Sequence, residues 1–174
     1  MSTTLVAVEP SATDAEALTL IRAAFQHARG GDVAELRHLL DRGVPANVCN
    51  EGGDSLLMLA SYHGQAEAVR LLLGRGADPE VRNARGQSPL AGAAFKGDAT
   101  MAGILIDGGA QVDGAGLDGK TALMFAAMFD RVEVVDLLLA RGASAARRDA
   151  AGVTALALAE GMGARRAAAR LSRE

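Results

Sequence analysis

Gly53-Asp-Ser-Leu-Leu-Met-Leu-Ala-Ser-Tyr-His-Gly64-Gln-Ala-Glu-Ala-Val-Arg-Leu-Leu-Leu-Gly-Arg-Gly76 reads as two short helices folded back on one another. Ser55 stands just before the apolar run Leu56 to Ala60, where its hydroxyl suits a helix N-cap. Gly64 supplies the left-handed turn that ends this helix. A second helix follows, with Ala68, Val69, Leu71, Leu72 and Leu73 as its apolar side. Gly76 closes it, and Arg75 in its last turn faces the negative end of the helix dipole. The stretch from Ala77 to Gly86 is polar and turn-rich, a hairpin-like connection to whatever follows.

The same pattern recurs every 33 residues. Gly53, Gly86, Gly119 and Gly152 share one register, as do Ser55, Ser88, Thr121 and Thr154. Leu57, Leu90, Leu123 and Leu156 follow, then Ala60, Ala93, Ala126 and Ala159. Further along each unit come Leu72, Leu105 and Leu138, then Gly76, Gly109 and Gly142, with Gly43 one period upstream. Each unit is one supersecondary element that cannot bury its apolar face alone, so the units must stack. Alanine at positions 60, 93, 126 and 159 lets neighbouring first helices approach closely.

Composition agrees with a thin stacked architecture. The 174 residues include 37 alanines and 21 glycines but only one Tyr, four Phe and no Trp. So few aromatics argue against a β-sandwich or large barrel. Hydrophobic content of 49% rules out a largely disordered chain. A net charge of −3 is no signature of a nucleic-acid binder, and no apolar run is long enough to span a membrane. The start lacks a basic n-region, and the single Cys49 can form no intrachain disulfide; a cytoplasmic protein of bacterial composition is expected.

A helix–turn–helix period of 33 with these residues resembles the ankyrin-repeat family. The resemblance covers residues 17 to 171. It implies an all-α solenoid of about five units: a degenerate repeat at 17–49, repeats at 50–82, 83–115 and 116–148, and a cap over 149–174. Residues 1–16 fall outside the pattern and are expected to be mobile. The family's Thr-Pro-Leu-His segment appears as Ser-Leu-Leu-Met (55–58), Ser-Pro-Leu-Ala (88–91), Thr-Ala-Leu-Met (121–124) and Thr-Ala-Leu-Ala (154–157), without its histidine. Asp130 replaces the inter-helix glycine found at 64 and 97, a left-handed position that Asp tolerates better than most residues.

No catalytic or metal-ligating constellation emerges. His27, His38 and His63 have no helical metal spacing and no Cys/His cluster. The glycine-rich Gly114-Ala-Gly116-Leu-Asp-Gly119 lacks a phosphate-loop Lys-Ser/Thr. Neither an enzyme nor a bound cofactor or metal is expected, which leaves recognition.

In the resembled family, the variable residues of the concave surface are the hairpin tips and the end of each first helix. On this chain the helix ends carry Tyr62 and His63, Phe95 and Lys96, Met128 and Phe129. The tips carry Glu51 and Asp54, Arg85 and Gln87, Leu117, Asp118 and Lys120. Three of the five aromatics thus fall on groove positions, joined by Met128. Such a stripe either binds a partner or shields the seam between repeats; Leu, Ala and Val already fill the core positions, which favours binding. The groove and tip side also carries Arg29, Arg42, Arg75, Arg82, Arg85, Lys96, Lys120, Arg141 and Arg148 against Glu51, Asp54 and Asp118.

The expected function is therefore a non-enzymatic, monomeric scaffold that binds another protein through this surface. Its partner should be acidic around an apolar centre, with no role for nucleic acid or membrane. An alternative follows from the same resemblance. Some small bacterial ankyrin proteins accompany catalases and haem supply, and Tyr62 beside His63 would offer an axial ligand for haem or a small molecule in the groove.

Overall fold

A computed structural model describes residues 12–174. Its described residues form ten helices and no strands. The helices are α1 (Ala12–Gly30), α2 (Val33–Asp41), α3 (Leu56–Tyr62), α4 (Ala66–Gly74), α5 (Pro89–Lys96), α6 (Ala99–Asp107), α7 (Ala122–Met128), α8 (Val132–Ala140), α9 (Ala155–Met162) and α10 (Arg165–Leu171). They pair as five antiparallel hairpins. The first helices α1, α3, α5, α7 and α9 stack in one layer, and α2, α4, α6, α8 and α10 stack in a second. This is an all-α solenoid.

The predicted starts and stops hold. Ser55, Ser88, Thr121 and Thr154 each accept a hydrogen bond from the backbone N–H three residues on, at 3.1–3.4 Å. Each satisfies a donor that the helix leaves open. The inter-helix turn is left-handed at Gly31, Gly64, Gly97 and Gly163. Asp130 is the sole non-glycine with positive φ among the described residues, at 54°. Its carboxylate does more than tolerate the turn. Oδ1 accepts from the N–H of Ala167, 2.8 Å away in the first turn of α10. Ala164, the residue preceding α10, has no side chain to cap with, so Asp130 caps that helix from the neighbouring hairpin.

The alanines mark the seam. Ala60, Ala93, Ala126 and Ala159 are at most 2% exposed, between first helices in contact. Leu57, Leu90 and Leu123 lie buried beside them, and Leu72, Leu105 and Leu138 bury the inner face of the second layer. Of the segment 1–16 expected to be mobile, residues 1–11 lie outside the described residues. Ala12 to Glu16 lie at the start of α1, and Glu16 pairs with Arg42, 3.2 Å away at α2's C-terminal end.

The connections between hairpins are tight two-sided turns. Cys49 bridges Ser55, Ala115 bridges Thr121 and Arg148 bridges Thr154 in antiparallel fashion. Adjacent tips are joined through the backbone where Ala84 N–H donates to Gly52 C=O and Ala150 N–H to Asp118 C=O, both at 3.0 Å.

Candidate functional site

An Asn or Asp at register positions 50, 83 and 149 builds the tip from its side chain. Asn50 Oδ1 accepts from the N–H groups of Gly52 and Asp54, both at 2.9 Å. Asn83 Oδ1 does the same for Arg85 and Gln87, and Asp149 Oδ1 for Ala151 and Val153. These side chains fold the tip from within and fix the positions that face out. Gly116 breaks the series, and there Asp118 Oδ1 accepts from Lys120 N–H instead. Sequence reasoning passed over this Asn/Asp register, although it has the same 33-residue spacing as the glycines.

Between the ends of α3 and α5 and the first two tips lies an open groove of about 690 Å³. Of the predicted residues it gathers Asp54, Tyr62, His63, Arg85, Gln87 and Phe95, together with Arg29 at the end of α1. Tyr62 is 47% and Phe95 40% exposed, large apolar surfaces held at helix ends. The floor comes from residues that were not singled out, chiefly Met58, Leu59, Pro89 and Gly92. A smaller recess of about 150 Å³ lies between the second and third tips, lined by Arg85, Gln87, Asp118 and Lys120 over Phe125.

The other predicted residues lie outside the groove. Phe129 is half-buried and packs edge-to-face on Phe95 with ring centres 4.6 Å apart, so it supports the groove wall. Met128 is also half-buried. Lys96 turns back across the repeat boundary: its ammonium hydrogen-bonds the carbonyl of Tyr62 and stands 4.7 Å from the centre of the Tyr62 ring. Leu117 is 83% exposed, at a tip that closes over Gly86. Glu51 is exposed at the first tip. Tyr62 and His63 are neighbours, with rings 5.8 Å apart and edge-to-face. Among the described residues no three His, Cys, Asp or Glu side chains gather as a metal site.

The charge excess counted along the sequence is smaller in three dimensions. Arg42, Arg75 and Arg141 follow the last turns of α2, α4 and α8 and pair with Glu16, Asp41 and Asp107 at 3.2, 2.6 and 2.7 Å. The last two join successive hairpins along the second layer. Arg82 pairs with Glu80 at 3.5 Å. Lys120 pairs with Asp118 at 3.0 Å and lies 3.7 Å from Asp149. For Asp118, burial works to raise the pKa, but the bonds from Lys120's N–H and ammonium outweigh it and hold the carboxyl below its ordinary value. The same hydrogen bond to Asp118 leads the influences that raise the Lys120 ammonium's pKa. Arg29 and Arg85 form no ion pair with described residues, and both line the groove.

Stacked helical hairpins, turned tips and an open groove across successive units define a helical repeat protein. The chain belongs to the ankyrin repeat family: a family model of three ankyrin repeats matches residues 20–115, 57–149 and 90–171. Over 56 residues it is 55% identical to a protein of Pseudomonas aeruginosa named for its ankyrin repeats. That alignment spans 32% of this chain and 33% of the relative. Ankyrin repeats are generally protein–protein interaction modules. No described helix is long and apolar enough to cross a membrane.

Proposed function

We propose that this chain is a non-enzymatic cytoplasmic scaffold, monomeric on its own, that captures a partner protein in the groove between α3 and α5. One observation carries the reading. Tyr62 and Phe95, two of the chain's five aromatics, stand exposed in the lining of a groove large enough for several side chains. Exposed aromatics around a concavity are the residues that dominate binding energy when a partner covers them. The partner surface that fits is acidic around an apolar centre, because Arg29 and Arg85 flank the groove while Asp54 is engaged by Asn83 at 2.9 Å. An acidic partner protein fits better than nucleic acid, since the chain's net charge is −3.

A comparison of proteins captured from lysate by the parent and by Tyr62→Ala, Phe95→Ala and Phe129→Ala tests it. Partners lost on Tyr62→Ala and Phe95→Ala, with melting temperatures near the parent's, support the groove. Partners retained by all three variants refute it. Raising salt to about 0.5 M should slow association more than it speeds dissociation, because flanking charges act mainly on encounter. Kinetics indifferent to salt, or tight binding to plain duplex DNA, would remove the acidic-protein reading.

A further inference from the structure

Gly92 sits in the interior of α5, where glycine costs helix stability relative to alanine. Neither backbone nor packing demands it. Its φ is not among the positive ones, and a Cβ built there would meet nothing within 4 Å. Its register equivalents are Leu59, Phe125 and Leu158, with Gln26 in the degenerate first unit. Three units fill this position with a large apolar side chain, and the unit at the centre of the groove leaves it empty. The clearing shares its groove with the apolar side chains of Met58, Leu59, Tyr62 and Phe95. Arg29 and Arg85 lie at its margins without ion-pair partners among the described residues, and the one carboxylate of the groove, Asp54, is held by Asn83.

We propose that the clearing over Gly92 is a slot for one large apolar side chain of an extended acidic segment of the partner, whose carboxylates meet Arg29 and Arg85. This rests on the groove being the binding surface and adds what enters it and where. The side chain that Gly92 lacks is supplied by the ligand, and the segment's acidic residues supply the charge that the groove does not pair internally. Filling the slot with the register's own residue, by Gly92→Leu, should remove binding without harming the fold.

The test is selection of a random peptide library on the immobilised full chain, with the enriched peptides then titrated against variants. Enriched peptides should carry Asp or Glu on either side of a single Leu, Met or Phe. Gly92→Leu should keep or raise the melting temperature and weaken these peptides about tenfold or more. Arg85→Glu should weaken them comparably. Gly92→Met, unbranched and adaptable, gives the same reading should Gly92→Leu lower the melting temperature. Peptides that bind Gly92→Leu and Gly92→Met as tightly as the parent, basic flanks, or no enrichment at all would overturn the slot. Peptides lost on Tyr62→Ala yet indifferent to position 92 would overturn the slot alone and leave the groove standing. Peptides indifferent to both would remove the groove as well. A concentration-dependent dimer that Gly92→Leu dissolves would place a second copy in the slot and overturn the proposed occupant.

Discussion

The ammonium of Lys96 lies 4.7 Å from the centre of the Tyr62 ring, one repeat away, and hydrogen-bonds the Tyr62 carbonyl. A residue read from the sequence as a contact for a partner is thus engaged by its own chain. It satisfies a carbonyl at the end of α3 and stands over the tyrosine ring. An exposed cation over an aromatic face contributes about 0.5–1 kcal/mol. Lys96→Met should lower stability by about that amount in denaturant unfolding, while Tyr62→Ala weakens partner binding more than Lys96→Met does. Equal losses of binding would make Lys96 a direct contact.

Ala93 is 2% exposed in the seam between α3, α5 and α7. Ala93→Leu forces extra methylenes into a space set by backbone approach, at a cost of about 1–3 kcal/mol. Chemical denaturation should show the midpoint falling with the slope unchanged. An unmoved midpoint would mean that the seam has room the alanine register denies.

Asp130 combines a left-handed backbone with a cap on α10. Asp130→Ala loses the cap and places a Cβ-bearing residue without local hydrogen bonding at positive φ, for a loss of about 2 kcal/mol. Asp130→Gly loses the cap but relieves the backbone, so it should cost less. If Asp130→Gly proves the worse of the two, the left-handed backbone is not what penalises the alanine.

The third tip gives a pH prediction. Asp118 has a lowered pKa, so its contribution is present above its ordinary value of 3.8 and is lost as pH falls through the lowered one. Lys120 has a raised pKa, so its contribution is present below 10.5 and is lost as pH rises through the raised one. Between these limits the pair is pH-independent. Lys120→Met should cost less than about 1 kcal/mol at neutral pH because Asp118 is half exposed. The gap between variant and parent should close as the solution is acidified below 3.8 and, at the alkaline end, as it is raised past 10.5. A gap that changes between pH 5 and 9 would point to another group.

The solenoid was legible because its causes are local and repeat. Caps, left-handed turns and small seam residues each recur at a fixed spacing, and even the exception at Asp130 obeyed the backbone rule that glycine obeys elsewhere. The groove was legible only in part. Tyr62 and Phe95 were found by register, but Gly92 was not, since an absent side chain gives no signal until its neighbours are in place. Arg75 and Arg141 were counted with the groove because their pairing partners lie on other hairpins, and Arg42 because its partner Glu16 lies 26 residues back on α1 of its own hairpin. Asp41–Arg75 and Asp107–Arg141 are spaced by 34 residues, one off the repeat, so the period does not bring them together on the page. Phe129 shares the register of His63 and Lys96, yet it leans on Phe95, a contact between side chains that no spacing specifies.

Backbone hydrogen exchange, with and without a partner identified by capture, tests most directly whether the groove is where binding occurs. The amides of Ser61 to His63, Arg85 to Ser88 and Phe95 to Gly97 should slow on binding, while those of α4, α6 and α8 keep their rates. Slowing confined to α4, α6 and α8, with the groove amides unchanged, would place the partner on the opposite layer and contradict the groove as the recognition surface.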